Sequence, residues 1–143
     1  MTMKTNFHFP RAAFSLVEVL AAIAIIGIVT FLAIPNIVRV KQDAEDNLAR
    51  ARAESLNMAV ASYIQAVGTN IAQANWSGAG NAAARYALVR PYLAFSETNF
   101  SSAGSPSFVP AGYSFTLATS VVPMTAKPVT SISNTSRSVA VPY

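Results

Sequence analysis

The sequence contains no cysteine, one histidine and few charged residues. Six acidic and ten basic residues make up 11% of its 143 positions, whereas about a quarter of an average globular domain is charged. The absence of cysteine excludes disulfides, thiolate metal sites and cysteine nucleophiles. The low charge, together with an apolar content of 52%, indicates that part of the molecule does not face water.

The chain also has few of the side chains that catalysis and metal binding use. Its histidine, His8, lies in the opening segment, and Glu97 is the only acidic residue after Glu54. A histidine base, a pair of carboxylates or an oxygen-rich cation site therefore cannot be built from the C-terminal residues. We expect no enzyme activity, no metal and no cofactor. The basic residues are scattered rather than clustered, so no specific nucleic acid is expected either.

A long apolar run follows the basic opening residues 1–13. Residues 14–34 contain one charge, Glu18, and the twenty residues 19–38 contain none. Twenty helical residues extend about 30 Å, the thickness of a bilayer core. A cleaved secretory signal has a shorter apolar region, of about 7 to 15 residues. A buried core helix is the other alternative, but so small a chain could hardly enclose it. We therefore predict one membrane span.

Glu18 is the unusual residue of this run. An ionised carboxylate inside an apolar segment is costly unless it is paired or reaches water. It either lies near the membrane boundary and reaches headgroup water, or it pairs with a cation. Arg11 is seven residues earlier, about 10 Å along a helix, so a partner from another molecule is the more specific hypothesis.

Residues 11–18, RAAFSLVE, resemble the processing site of type IV prepilins and type II secretion pseudopilins. In that family a basic leader ends in a small residue, and Glu occupies the fifth place of the mature chain. The resemblance implies cleavage between Ala13 and Phe14 by a prepilin peptidase, methylation of the Phe14 amine, and pairing of Glu18 with the Phe14 ammonium of a neighbouring subunit. The family usually has Gly before the cut. Because Ala13 is also small, we expect cleavage to be retained but slower.

Two residues are expected to loosen the long N-terminal helix. Pro35 removes a backbone donor and clashes with the preceding turn, and Gly27 is a second weak point. A helix kink is therefore predicted at Gly27 and Pro35, and the resemblance implies that such looseness helps the helix to pack in a filament. The alternative for Pro35 is the end of a membrane helix, with a second helix beginning near Asn36.

Residues 37–67 show the pattern of an amphipathic helix. Lys41 with Glu45 and Asp46 with Arg50 have the i,i+4 spacing of ion pairs on a solvated face. Apolar residues recur every three or four positions and form one stripe. The stripe consists of Ala49, Ala53, Leu56, Val60, Ile64 and Val67.

Beyond Gly68, a plausible helix stop, the composition shifts toward Ser, Thr, Gly, Ala and Pro. A short helix is predicted over Ala82–Val89, ending at Pro91, and Trp76 is expected to pack beneath its loop rather than to act as a surface adhesion residue. Strands are predicted over residues 113–119, 129–133 and 138–141. The core expected against the helix stripe consists of Phe108, Tyr113, Phe115, Leu117, Ile132 and Val139.

The predicted fold class is α+β. A long N-terminal helix, with a hydrophobic first half and an amphipathic second half, packs on a small antiparallel β-sheet head, in agreement with the pilin fold. The predicted segments are a cleaved leader at 1–13, a transmembrane and filament-core helix half at 14–38, an amphipathic helix half at 39–67 and the head at 68–143.

Three functions follow from this organisation. The favoured one is a structural subunit of a type IV pilus-like filament, namely a type II secretion pseudopilin, and a surface type IV pilus subunit for adhesion, motility or DNA uptake is close behind. The third is a monomeric single-pass membrane protein whose head binds a periplasmic ligand.

The resemblance also implies partners and a location. The partners are further copies of the chain in a helical filament, a prepilin peptidase and methyltransferase, other minor pilins or pseudopilins, the inner-membrane assembly platform, and lipid before assembly. The expected location is the bacterial inner membrane, with a single span and a periplasmic head, and then the filament.

Overall fold

The computed structural model describes residues 15–101, 106–121 and 127–143. The chain divides into two compact units, Met1–Val40 and Lys41–Tyr143. The elements in chain order are α1 (Leu16–Val67), α2 (Thr69–Gly78), α3 (Ala82–Val89), a 3₁₀ turn (Arg90–Tyr92), β1 (Tyr113–Leu117), β2 (Val129–Asn134) and β3 (Val139–Val141).

The predicted α+β fold class is confirmed. A long N-terminal helix and a three-stranded antiparallel sheet are present. Helix α3 has the predicted bounds, β1 ends two residues earlier than predicted, and β2 and β3 each differ from the prediction by one residue. The local patterns of apolar and turn residues therefore located these elements closely.

Helix α1 continues through Gly27 and Pro35 as one element. The alternative in which a second helix begins near Asn36 is therefore wrong. Proline has no backbone N–H, so the helical bond from Pro35 to the carbonyl of Phe31 is missing while the turns on both sides continue. The kink at Gly27 and Pro35 stays a prediction.

The amphipathic part of α1 supplies one wall of the core of the second unit. The predicted stripe is confirmed, because its first five members are buried and Val67 is partly buried against the core. Aromatic rings fill the space beside it, where the Tyr86 ring lies 5.4 Å from the ring of Phe100 and 5.1 Å from that of Phe108, between centroids. The buried stripe residues are Ala49, Ala53, Leu56, Val60 and Ile64.

The sheet has the order β1-β2-β3, with both pairs antiparallel. Side chains of β1 alternate between buried and exposed along its whole length, as expected for a strand with one face on a core. The turn between β2 and β3 is closed by Asn134, whose Oδ1 accepts a hydrogen bond from the backbone N–H of Arg137 at 3.0 Å. Ser138 then adopts a φ of 53°, which brings the chain back into β3.

One predicted core residue is wrong. Val139 is 53% exposed, whereas Val141, on the same strand, is buried. Strand β3 is at the edge of the sheet, with a neighbouring strand on one side only. Val139 is its first residue and follows the turn directly, so the side chain lies at the margin of the sheet.

Helix α2 was not among the predicted elements. Gly68 separates it from α1 with a φ of 87°, a backbone conformation that favours glycine. The helix buries Ala72 and Trp76, and the indole Nε1 of Trp76 donates a hydrogen bond to the carbonyl of Ala118 at 2.9 Å. The expectation that Trp76 is packed rather than displayed is confirmed.

Asp46 forms a polar link between α1 and the sheet. Its Oδ1 accepts hydrogen bonds from the hydroxyl of Tyr113 and from Nη2 of Arg137, both at 2.5 Å. Tyr113 opens β1 and Arg137 lies in the turn between β2 and β3. A single carboxylate therefore ties α1 to both of these segments.

The predicted ion pair between Asp46 and Arg50 is wrong. Arg50 instead donates from Nε to the carbonyl of Pro142 at 2.8 Å and from Nη1 to Oδ1 of Asn47 at 3.1 Å. The i,i+4 spacing permits the pair, but Asp46 binds Tyr113 and Arg137 instead. Arg50 binds Pro142, which follows β3, and Asn47 on α1. The predicted Lys41–Glu45 pair is confirmed at 3.8 Å.

Two leucines on α1 give a matched test of this packing. Leu56 is 0% exposed and Leu48 is 47% exposed. Leu56→Ala should lower the free energy of unfolding by about 2–5 kcal/mol because it leaves a cavity, and Leu48→Ala should change it by less than about 0.5 kcal/mol. Urea unfolding of the full chain in detergent, followed by fluorescence of the buried Trp76, measures both. Equal losses would contradict this core.

The link at Asp46 predicts a pH dependence. The hydrogen bond from Tyr113, and then that from Arg137, hold the pKa of Asp46 below its ordinary value of 3.8. Its contribution to stability is therefore present above that pH and is lost as the pH falls through the folded pKa. Asp46→Asn should lower the urea midpoint at about pH 7, and should remove part of the decline between about pH 5 and pH 1.

The control for this prediction is Asp43→Asn, which neutralises an exposed carboxylate on the same helix. The Asp43 variant should keep the wild-type decline at low pH. If the Asp46 variant also keeps it, the hydrogen-bonded link does not contribute as described.

Candidate functional site

The N-terminal part of α1 is covered by apolar side chains that nothing in the described chain buries. Every residue from Ser15 to Val40 is exposed. The most apolar stretch of eighteen residues in α1 has a mean hydropathy of 2.7, and none of it is buried. By length and composition α1 can cross a membrane. This surface is the most conspicuous candidate for function in the molecule.

Most polar groups of this segment are paired within the helix, with exceptions that include the carbonyl of Phe31, which Pro35 leaves without its helical donor, and the carboxylate of Glu18. Helical hydrogen bonds pair most of the backbone, as a hydrocarbon surrounding requires. Thr30 donates its hydroxyl to the carbonyl of Ile26 at 2.7 Å, which leaves no unpaired donor on that side chain. Gly27 has no atom within 4 Å of the place where a Cβ would stand, so no close contact within the chain explains it.

Glu18 is the single charged residue between Ala12 and Val38. It lies in the first turn of α1, where the helix dipole favours a negative charge. Within the part of the chain that the structure describes, Glu18 takes part in neither an ion pair nor a side-chain hydrogen bond. The two residues of the expected cleavage site, Ala13 and Phe14, lie outside the described residues.

The head offers little for catalysis. Among residues 15–101, 106–121 and 127–143 there is no group of three His, Cys, Asp or Glu side chains that could hold a metal. Two of its basic residues, Arg85 and Lys127, contact other residues of the head. Nε of Arg85 donates to the carbonyl of Trp76 at 3.3 Å, and Nζ of Lys127 lies 4.5 Å from the ring centre of Tyr143. Apolar helix surface, rather than a cluster of reactive groups, is thus the main feature.

Comparison with protein families assigns this helix surface to a known signature. Residues 9–34 match the family model of the prokaryotic N-terminal methylation motif. The segment is the leader signature of type IV pilins and pseudopilins. The resemblance found in residues 11–18 is thereby confirmed, because the match includes the Ala13–Phe14 junction, Glu18 and Gly27.

The match covers under a fifth of the chain. It supports a pilin-like or pseudopilin subunit, and the motif belongs to structural subunits rather than to an enzyme family. It implies processing by a prepilin peptidase and assembly with other pilins, and a membrane-anchored pilin is consistent with the exposed apolar helix. Neither the curated proteins nor the solved structures contain a match to this chain.

The exposed apolar helix predicts that the protein is retained in the membrane fraction. A charge at the centre of a membrane helix costs about 2.5–3.5 kcal/mol on insertion scales. Ile26→Arg should therefore lower the fraction of the chain that remains in carbonate-washed membranes. The matched control is Ile71→Arg, because Ile71 is an exposed isoleucine on α2 of the head, and this variant should stay in the membrane fraction. Equal retention of both variants would argue against a span at this segment.

Proposed function

We propose that this chain is a structural subunit of a type IV pilus-like filament, cleaved between Ala13 and Phe14 and methylated at the Phe14 amine. The observation that carries the proposal is the exposed apolar helix surface of residues 15–40, most of which lies within the matched methylation motif of residues 9–34. Residues 1–13 are the leader, 14–38 the membrane and filament-core half of the helix, 39–67 its amphipathic half and 68–143 the head. Loss of Lys4 and Arg11 takes the formal charge from +4 to +2.

The physical reason for assembly lies in this exposed surface. Apolar helix faces lose contact with water in lipid, and they do so equally well against the same faces of other copies. Copies related by a screw operation make heterologous contacts, which continue without closing. Transfer of the subunit from the inner membrane into a filament then exchanges lipid for neighbouring helices.

Glu18 is proposed to set the register of this packing. Its carboxylate would pair with the methylated Phe14 ammonium of a neighbouring subunit. A buried ionic group that loses its partner costs about 3–5 kcal/mol. A subunit inserted in another register would leave both charges without a partner, so the pair selects one arrangement and adds little net stability.

Gly27 and Pro35 are proposed to let the helix adjust as it packs. Pro35 leaves one helical hydrogen bond unmade, and Gly27 has the lowest helix propensity of the residues other than proline. A kink near Pro35 therefore has one hydrogen bond fewer to break, whereas at Gly27 the helical conformation is intrinsically less stable than at other residues.

Within the pilin-like class we propose a type II secretion pseudopilin. Its partners would be further copies of the chain, the prepilin peptidase and methyltransferase, other minor pseudopilins, and the inner-membrane assembly platform. Before assembly the head would lie in the periplasm, with α1 in the lipid. A surface pilus subunit makes the same contacts, and the two differ in how much protein reaches the cell exterior.

The deciding experiment is intact-mass analysis with N-terminal sequencing of wild type and Glu18→Ala from membranes and from sheared surface material. The wild-type chain should begin at methylated Phe14 in both fractions. If the chain is a pseudopilin, the sheared fraction should contain only a small amount of it. Glu18→Ala should be processed equally, and should lose most of its assembled fraction because the Phe14 ammonium is left unpaired. Ser15→Ala, a polar change in the same turn, is the control and should assemble as wild type does.

Other outcomes point elsewhere. A chain that begins at Met1 in every fraction would contradict processing and favour the monomeric single-pass protein with a binding head. Abundant sheared protein would favour the surface pilus subunit. A Glu18→Ala chain that assembles as wild type does would refute the pairing while leaving the filament intact.

A further inference from the structure

Three polar side chains follow Ser15 in the apolar part of α1 that ends at Val38. They belong to Glu18, Thr30 and Asn36. The Thr30 hydroxyl already donates to a carbonyl of its own helix. Asn36 is exposed, and within the described part of the chain its side-chain amide makes no hydrogen bond. An amide is costly in hydrocarbon without a partner, so this one needs headgroup water or a group from another chain.

An unpaired backbone acceptor lies about one and a half turns before Asn36. Pro35 has no N–H, so the carbonyl of Phe31 lacks the donor that a helix otherwise supplies. An unsatisfied carbonyl in a lipid surrounding is also costly. The Phe31 side chain is 77% exposed, which leaves this stretch of helix open to a neighbouring chain. The segment therefore holds one amide donor and one carbonyl acceptor, both without a helical partner.

The positions of the two groups favour pairing between copies. Five residues correspond to about 500° of helical rotation, so Asn36 and Phe31 lie about 140° apart around the axis. In parallel copies, the face that bears Asn36 can meet the face that bears the Phe31 carbonyl of the next copy. Because donor and acceptor lie on different faces, each copy can use both at once. Such a heterologous contact repeats from copy to copy.

Glu18 lies on the same face of the helix as Asn36. The two are eighteen residues apart, which at 3.6 residues per turn is about five full turns. Pairing of Glu18 with the Phe14 ammonium of a neighbour shifts the copies by four residues, about 6 Å. Pairing of Asn36 with the neighbour's Phe31 carbonyl shifts them by five residues in the same direction, about 7.5 Å. The two polar contacts thus require nearly the same register.

We propose that the side-chain amide of Asn36 donates a hydrogen bond to the Phe31 carbonyl of a neighbouring copy. The inference rests on the proposed filament function and adds a second polar contact to the one at Glu18, at the other end of the apolar surface. It also gives Pro35 a role besides loosening the helix, because the missing N–H leaves an acceptor for the neighbour. Two polar contacts, five turns apart, then fix the shift between copies.

A pair of cysteines two turns earlier tests this register and leaves both contact residues intact. Val29 lies seven residues before Asn36, and Ala24 lies seven before Phe31, so they share the faces of those residues. In the proposed register, Val29 of one copy is level with Ala24 of the next. The full chain with Ala24→Cys and Val29→Cys should therefore give a ladder of disulfide-linked oligomers when assembled fractions are oxidised.

The controls use the natural lack of cysteine in the chain. Each single variant should stay monomeric, and disulfide dimers of Val29→Cys alone would overturn the proposal in favour of a twofold contact. The matched control replaces Ala24→Cys with Ala22→Cys. Ala22 lies seven residues before Val29 and hence on the same face, so this pair should give no ladder. An equal ladder from the control would overturn the proposed register.

Replacement of Asn36 tests the hydrogen bond itself. Asn36→Leu removes the donor with little change in size. In the chain with both cysteines it should lower the ladder yield several-fold, while the fraction in carbonate-washed membranes stays the same. Asn36→Gln keeps an amide and should retain more of the ladder. An unchanged yield after Asn36→Leu would overturn the hydrogen bond and leave headgroup water as the partner of the amide.

Pro35→Ala tests the identity of the acceptor. It restores the N–H that pairs with the Phe31 carbonyl, so adding Asn36→Leu to this variant should cause no further loss of ladder. Equal losses with and without Pro35→Ala would overturn this carbonyl as the acceptor. The cysteine ladder and its loss in Asn36→Leu do not require the Pro35 variant to assemble.

The same measurements separate this contact from the function on which it rests. Processed and assembled chains that give no ladder would overturn the contact and leave the filament function standing. Chains that are neither processed nor assembled would overturn the filament function and the contact together.

Discussion

Removal of the apolar helix surface from water is the constraint on which the rest of the molecule depends. Fifteen large apolar side chains between Leu16 and Val40 are exposed. Burial of each is worth about 1.5–3 kcal/mol, so the set amounts to tens of kcal/mol, whereas a folded domain is stable by about 5–15 kcal/mol. Folding of the head cannot offset such a term. Lipid, or the same surface of other copies, has to cover these side chains.

The second half of α1 obeys a different constraint, because it faces both a core and water. Its charged residues begin at Arg39 and continue to Glu54, and its buried stripe turns toward the sheet. The two faces have separate roles, which Leu56 and Leu48 represent with the same side chain. Leu56 fills the core, whereas Leu48 is 47% exposed and contributes to no core in its own chain.

Much of this fold could be predicted from the sequence, and the failures share a physical cause. The stripe from Ala49 to Ile64, helix α3 and the strands depend on local periodicity, which a single segment displays. The partner of Asp46 does not depend on local periodicity. Arg137, which is 91 residues away, binds this carboxylate in place of Arg50 at the i,i+4 position. The prediction that Val139 lies in the core was wrong because the strand order, which places β3 at the edge of the sheet, is not visible in the local sequence.

The candidate functional features also fall into two groups, those that the sequence indicates and those that only the fold creates. The motif around Ala13, Phe14 and Glu18 is linear, so the sequence alone indicated it and the family comparison confirmed its signature. The shallow groove between Met58 of α1 and Phe95 could not be predicted, because it exists only where the segment after the 3₁₀ turn lies against α1. The exposure of Leu48 is equally a property of the fold, since its spacing alone does not exclude it from a core.

Two carboxylates on α1 make the distinction between folding and assembly explicit. Asp46 has both partners within its own chain, Tyr113 and Arg137, and so links α1 to the sheet of the same molecule. Glu18 has no partner among the described residues and lies in a surface that water must leave. An acid in that position is costly in isolation and becomes acceptable when a neighbour supplies a cation. Under the proposed pairing, its cost as a lone residue would make it selective for one arrangement of neighbours.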